Sequence, residues 1–243
     1  MSNPTAAILI IGDEILSGRT KDANTQFLAA ELTKAGIDLQ EVRVVPDTAD
    51  AIVASVNALR AQYDAVFTSG GIGPTHDDIT ADAIARAFDL HIDVRADALA
   101  ILQERHEKLG LAINPSRLRM ARIPDGATLI ENPISGAPGF TVQNVHVMAG
   151  VPTIFQAMVA SVLPTITGGT PLWTRPLRID RGEGDIAGPL AELAADYPDF
   201  SIGSYPFRQD GRFGANIVMR GHDRALIDAA MARLANLFPD DIG

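Results

Sequence analysis

The sequence predicts an α/β fold: a three-layer α/β/α arrangement on a mostly parallel sheet, followed by a small α+β module. Three observations carry this. Short apolar runs alternate with helix-period segments from the amino terminus onward, the pattern of a parallel sheet covered on both faces. Each of the first three predicted strands ends in a glycine-rich or acidic loop. A turn-rich stretch, Thr167-Gly168-Gly169-Thr170-Pro171, then separates a last segment with a different order of elements. The predicted domains are 1–168 and 171–243.

The elements follow in order. Ala6–Ile11 is an unbroken apolar run, read as a buried strand that ends at Gly12-Asp13-Glu14. Asp22 is placed to cap a helix from Ala23, with Phe27, Leu28, Leu32 and Ala35 on one stripe and Gly36 at the C′ position. Ile37–Val45 reads as a strand stopped by Pro46-Asp47. Ala49–Gln62 is a helix with Ile52, Val53, Val56 and Leu59 on one face. Ala65–Ser69 is a third strand running into Gly70-Gly71-Ile72-Gly73-Pro74, with Thr80 as the expected cap of the next helix. Ala96–Gly110 is helical, and Asn114-Pro115 marks another helix start. Ala127–Ile130, Phe140–Gln143 and Val145–Ala149 are short strand candidates, and a helix follows Pro152 and ends near Pro164. The last module contains a strand (Leu177–Asp180), a helix (Asp185–Asp196), a hairpin around Asp210-Gly211 whose second strand is Ala215–Arg220, and a helix (Asp223–Leu237).

Composition narrows the function. The 243 residues carry 20 Lys+Arg against 30 Asp+Glu, a formal net charge of −10, and no cysteine. A zinc–cysteine site, a disulfide framework and a cysteine nucleophile are excluded. No haem or flavin is expected. The acidic balance opposes a nucleic-acid partner, because neutralising phosphates takes clustered Lys and Arg. No apolar run reaches the roughly 18–20 residues a membrane helix needs, so no membrane association is expected. No secretory leader is apparent, and the expected compartment is the cytoplasm.

Ligands of open α/β sheets bind at the carboxyl ends of strands. There the first loop supplies Gly12, Asp13, Glu14 and Ser17, the second Asp47, and the third Ser69 through Asp78. The glycines of the third loop let backbone N–H groups approach an anion, and the following helix start adds its positive end. No Gly-Lys-Ser/Thr follows and His76 stands where a dinucleotide fingerprint needs glycine, so this is neither a P-loop nor a Rossmann loop. The spacing leaves open a phosphate-binding loop and a plain tight turn. Asp77 and Asp78 beside it would repel a phosphate unless a divalent cation intervened. Alternation of adjacent side chains leads us to expect only one of the two to face a ligand. Ser17 and Ser69 have no evident His–Asp partners, so a serine hydrolase is disfavoured. His76 is read as a surface residue, and the pair His106-Glu107 and the run Arg117, Arg119, Arg122 as solvated faces. Gly211-Arg212-Phe213-Gly214 has the Gly-x-x-Gly form of a KH loop, but it falls in the hairpin, and residues 171–243 hold 8 basic and 11 acidic residues. Packing or dimer contacts are expected there instead of RNA.

Taken together, Gly12-Asp13-Glu14-Ile15-Leu16-x-Gly18 with Asn24, Val45-Pro46-Asp47, and Ser69-Gly70-Gly71-Ile72-Gly73-Pro74-Thr75-His76-Asp77-Asp78-Ile79-Thr80 resemble the molybdopterin-binding (MoaB/Mog-type) domain. The long third motif, and Asn132-Pro133 followed by Ala137-Pro138-Gly139-Phe140, are most similar to the amino-terminal domain of CinA-type proteins; the same domain type opens eukaryotic FAD synthases. The resemblance covers roughly residues 6–165, and the trailing module looks like the second CinA segment. It implies a pocket at the strand ends, with Asp47 and Asp78 as the catalytic pair and as ligands of Mg²⁺, Mn²⁺ or Co²⁺. Gly12, Glu14, Ser17, Ser69, Gly70, Gly71, Gly73, Thr75 and Thr80 would bind the ligand or its phosphates. The implied activity is hydrolysis of a nucleotide pyrophosphate such as ADP-ribose. Adenylylation of molybdopterin, or binding of a nucleotide or pterin without turnover, are the alternatives. A homo-oligomer is implied, a dimer in preference to a trimer. Ala149-Gly150-Val151-Pro152 replaces the usual Pro-Gly-x-Pro, and Ser135-Gly136 reverses the usual order. The amide-hydrolysing domain of full-length CinA proteins has no counterpart in these 243 residues, and its activity is not expected.

Overall fold

The computed structural model describes residues 3–209 and 211–243. The chain divides into two compact units, Met1–Gly169 and Thr170–Gly243.

The first unit contains β1 (Thr5–Ile11), α1 (Asp13–Leu16), α2 (Asn24–Lys34), β2 (Asp38–Val45), α3 (Ala49–Gln62), β3 (Ala65–Ser69), α4 (Thr80–Phe88), β4 (Ile92–Val94), α5 (Ala96–Lys108), α6 (Pro115–Leu118), β5 (Arg122–Pro124), β6 (Thr128–Ile130), β7 (Gly139–Val142), β8 (Val145–Met148) and α7 (Pro152–Val162). Six strands form one sheet in the order β2-β1-β3-β8-β7-β6. β2, β1, β3 and β8 run parallel, and β7 and β6 are antiparallel additions. β4 and β5 make a separate two-stranded ribbon.

Strand alternation builds the two covered faces. Ala7, Leu9 and Ile11 of β1 pack with Ile52, Val56 and Leu59 of α3, Ile84 of α4 and Leu102 of α5. Ala6, Ile8 and Ile10 pack on the other face with Leu28 and Leu32 of α2 and Phe155, Met158 and Val159 of α7. Because β1 is buried on both faces, it reads as a continuous apolar run. The hairpin β7–β8 turns through Gln143, whose φ is 51°, and Asn144, whose side chain ties it to the carbonyls of Arg60 and Tyr63.

Several local expectations change. Thr80 is the first residue of α4 and caps nothing; its buried hydroxyl donates to the Gly70 carbonyl at 3.0 Å. α2 starts at Asn24, and Asp22 still serves its start by accepting from the Asn24 N–H at 2.9 Å. His106 is buried and its Nδ1 lies 2.8 Å from the Leu102 carbonyl, so that side of α5 is not solvated. The arginine run is engaged as well. Arg122 pairs with Asp82 through two bonds, Arg119 donates to the Asp78 carbonyl, and Arg117 donates to the Ala112 carbonyl.

The second unit runs β9 (Trp173–Ile179), α8 (Glu183–Asp196), β10 (Ser201–Gln209), β11 (Arg212–Gly221) and α9 (Arg224–Leu237). Its antiparallel sheet has the order β10-β11-β9. Ile179, Ala215, Ile217 and Met219 pack under Ile186, Leu193, Ile227 and Leu234 of the two helices. β9 begins four residues earlier than expected and stops at Ile179. Phe213 and Gly214 lie in β11, not in a loop between two helices as a KH motif requires. Of the expected hairpin turn, Gly211 is a turn residue and Asp210 lies outside the described residues.

One buried group sets a pH limit on stability. His146 of β8 stands beside the Phe67 ring, its Nδ1 3.0 Å from the Thr141 hydroxyl. Burial lowers its pKa from 6.5 to about 4. The folded chain therefore keeps His146 neutral, while the unfolded chain protonates it below 6.5. The contribution is complete above pH 6.5 and is lost as pH falls toward 4, about 3 kcal/mol in all. Urea unfolding at pH 7.5 and 4.5 should show a difference that narrows by that amount in His146→Gln.

Candidate functional site

Three loops meet beyond the carboxyl ends of β1, β2 and β3. Gly12 N–H donates to the Val45 carbonyl at 3.2 Å, joining the ends of β1 and β2. From there the one-turn helix α1 offers the Asp13 N–H, which donates to Asp47 Oδ2 at 2.8 Å. On the other side Gly70 N–H donates to the Met148 carbonyl. Asn24, buried at the start of α2, donates from Nδ2 to Ser69 Oγ and to the Gly150 carbonyl, both at 2.8 Å. One side chain thus ties the end of β3 to the loop after β8. Asn24→Ala removes both bonds and should lower stability by about 1–3 kcal/mol, read as a lower urea midpoint.

These loops enclose a cavity of about 500 Å³. Among its lining residues are Glu14, Thr20, Asp47, Gly70, Gly71, Gly73, Asp77, Asp78, Asn132, Ala137 and Ala149 through Pro152. The structure thus brings together six of the residues singled out from sequence: Glu14, Asp47, Gly70, Gly71, Gly73 and Asp78. Others stand behind the wall. Ser69 and Thr80 are buried and engaged with Asn24 and with the Gly70 carbonyl. Ser17 is exposed, with its hydroxyl on the Glu14 carbonyl. Gly12 joins the strand ends, and Thr75 braces the acidic turn.

That turn departs from expectation. Asp77 and Asp78 both line the cavity. Alternation fails because they lie in a turn, closed by Asp78 N–H donating to the Thr75 carbonyl, and not in a strand. Asp78 Oδ2 accepts from Thr75 N–H at 2.8 Å, and the single Thr75 hydroxyl stands within bonding distance of both Asp77 Oδ1 and Asp78 Oδ2. One proton between two carboxylates leaves a surplus of negative charge. The Thr75 bond holds the Asp77 carboxyl below its ordinary pKa. Asp47 is shifted upward, first by burial and then by Asp13, Glu14 and Asp77, although the Asp13 N–H opposes the shift. His76 is exposed beside Asp77. Sequence reasoning passed over Thr20 and Asp77 as lining residues; the motif spacing contained Asp77 but not the turn that aims it.

The chain is similar to known proteins over both of its units. Residues 7–168 match the model of a family described as a probable molybdopterin binding domain, and residues 171–242 match the FAD synthase middle domain. A protein of Archaeoglobus fulgidus is 34% identical over 82% of this chain and 84% of its own length. A CinA-like protein of Citrifermentans bemidjiense is 39% identical over 67% of this chain; the match spans only 40% of that longer protein. Among solved structures, the protein CinA from Thermoplasma acidophilum, whose function is described as unknown, has a TM-score of 0.62. It is 34% identical and covers 68% of this chain and 99% of its own. With the family model matching residues 7–168 and two thirds of the chain aligned at 34–39% identity, this protein belongs to the molybdopterin-binding (MoaB/Mog-type) domain family, in its CinA-like form.

Proposed function

We propose that the chain is a divalent-metal-dependent nucleotide pyrophosphatase acting on a substrate of the ADP-ribose type. One observation carries the reading: four carboxylates, Glu14, Asp47, Asp77 and Asp78, line a cavity with a glycine-rich turn, and no lysine or arginine side chain is among its described lining residues. A diphosphate entering such a cavity meets like charge, so the compensating cation must come from solution.

The donors fit a hard cation. Asp47 and Asp78 each have one carboxylate oxygen engaged by a backbone N–H, leaving the other to face an ion. Among the described residues no three acidic or histidine side chains already stand in ligand geometry. Mg²⁺ or a similar ion takes one or two carboxylates and completes its shell with phosphate oxygens and water. Such an ion supplies charge neutralisation at the phosphates. In this reading Asp47 and Asp78 hold it or orient the attacking water. The Gly70 N–H is held by the Met148 carbonyl, so the amides of Gly71 and Gly73 contact phosphate oxygens, and Glu14 and Asn132 shape the walls. The similarity of residues 171–242 to a domain of FAD synthase supports a nucleotide substrate. The family match supports a second reading, transfer of AMP to a pterin phosphate.

Incubation with ADP-ribose or FAD should release AMP in the presence of Mg²⁺, Mn²⁺ or Co²⁺, and EDTA should abolish it. Silence under every metal would defeat the hydrolase reading. Formation of adenylylated pterin from ATP would then establish the second, and thermal stabilisation without any product would establish a binding module.

A further inference from the structure

Glycine can serve a site in two ways. It adopts backbone angles closed to other residues, and it leaves room where a side chain would stand. The glycines around the cavity divide between the two. Gly70 and Gly71 have φ of +115° and +69°, a conformation that itself calls for glycine. Gly12 and Gly73 do not share it. Gly12 has φ 166° and ψ 120°, extended backbone that any residue adopts, and Gly73 is not among the glycines with positive φ.

Each of these two lies against a carboxylate. A Cβ on Gly12 would stand 2.5 and 2.7 Å from the two Glu14 carboxylate oxygens, and 2.7 Å from the carbon between them. A Cβ on Gly73 would stand 2.6 and 3.0 Å from the two oxygens of Asp78. Non-bonded carbon atoms settle about 3.5–4.0 Å apart, so neither carboxylate could keep its place beside a side chain. Both carboxylates line the same cavity. Local bonds fold them back. The Gly12 carbonyl accepts from Ile15 N–H at 3.2 Å, and this single turn returns Glu14 over the end of β1. Asp78 is turned toward Gly73 by Thr75, whose N–H and hydroxyl both reach its Oδ2.

We propose that Gly12 and Gly73 are positioning residues, whose bare Cα atoms seat the carboxylates of Glu14 and Asp78 in the cavity. For Asp78 this builds on the hydrolase reading above, in which that carboxylate holds the cation or orients the attacking water. For Glu14 it adds a purpose. Asp13, the residue between Gly12 and Glu14, fixes Asp47 through its N–H, so one short segment sets the places of two carboxylates. Glu14 therefore belongs to the set that draws the cation in. The two seats differ in what an added methyl group displaces. The Glu14 carboxylate is the far end of a flexible side chain and can swing away while the backbone stays. The Asp78 carboxylate can move only by giving up its bonds to Thr75.

Urea unfolding and Mn²⁺ titration, the latter followed by the spin-resonance signal of the free ion, test this on the full chain. Gly73→Ala should lower the urea midpoint of wild type, and should leave it unchanged in an Asp78→Ala background, where the methyl group has room. Gly12→Ala should keep the wild-type midpoint and weaken Mn²⁺ binding by about 10–100-fold. In a Glu14→Ala background it should weaken binding no further. A crystal structure of Gly12→Ala should show the Glu14 carboxylate swung off the end of β1. An equal fall in midpoint when Gly73→Ala is made in both backgrounds would show that the backbone itself demands glycine there, and would overturn the proposal. So would wild-type Mn²⁺ affinity in Gly12→Ala, or a Glu14 carboxylate left in its place. A wild-type chain that takes up no Mn²⁺ defeats the cation reading instead. The Gly73 midpoints and the Gly12→Ala structure need no metal, and they then decide the seats alone.

Discussion

Asp47→Asn and Asp78→Asn should each lower kcat/KM for AMP release from ADP-ribose by about two to three orders of magnitude, with little change in the urea midpoint. Asparagine keeps an oxygen able to accept the Asp13 N–H at position 47, or the Thr75 N–H at position 78. The variants therefore remove charge while the loops keep their bonds. Asp47 is the sharper test. Its carboxyl is already pushed up by burial and by the surrounding Asp13, Glu14 and Asp77, so the site holds more negative charge than it can comfortably carry without a cation. Removing one carboxylate should raise the Mn²⁺ concentration needed for half-maximal rate as well as lower the rate. Asp77→Asn should cost less, because Asp77 is more exposed and its bond is to the Thr75 hydroxyl. A wild-type rate in Asp78→Asn would mean that Asp78 serves only to close the Thr75 turn.

What the sequence revealed follows from period and length. β1 and β3 are buried on both faces, so they appear as unbroken apolar runs, and α3 shows its stripe because one side packs on the sheet. β4 and β5 have three residues each, too few for any period to register. β9 starts among exposed residues around Pro176, where no apolar signal exists. The site divides the same way. Asp47, Asp78 and the glycines follow strands directly, so their convergence could be inferred from a parallel sheet. Asn132 and Ala149–Pro152 reach the cavity from distant segments, and only the resemblance pointed to them. Asp77 was misplaced because strand alternation was applied to a turn. Thr80 and Ser69 were placed at the site, but their hydroxyls hold it from behind, a distinction that depends on burial and not on spacing.

The glycine turn itself should prove the least tolerant part of the molecule. Gly70 has φ +115°, and a Cβ there would lie 2.2 Å from the Ile11 carbonyl oxygen. That oxygen belongs to the backbone of β1, a central strand, and has no flexible end to swing aside. Gly70 is also fixed by its own bonds, its N–H to Met148 and its carbonyl to the Thr80 hydroxyl. Gly70→Ala must therefore force the ends of β1 and β3 apart or unwind the turn, and should cost about 3 kcal/mol or more. For a unit of this size that is a fall of about 6–12 °C in Tm. Gly110→Ala is the control: φ is +66°, also unfavourable to alanine, but nothing lies within 4 Å of the added Cβ, so about 1–2 kcal/mol is expected. The difference between the two measures the close approach of backbones at the site, separately from the left-handed conformation that both share. Because the same movement displaces the Gly71 amide from the cavity, the folded fraction of Gly70→Ala should also lose nucleotide binding, while Gly110→Ala retains it. Equal destabilisation by the two substitutions would show that β1 and β3 can separate freely at their ends, and that the turn is held by conformation alone.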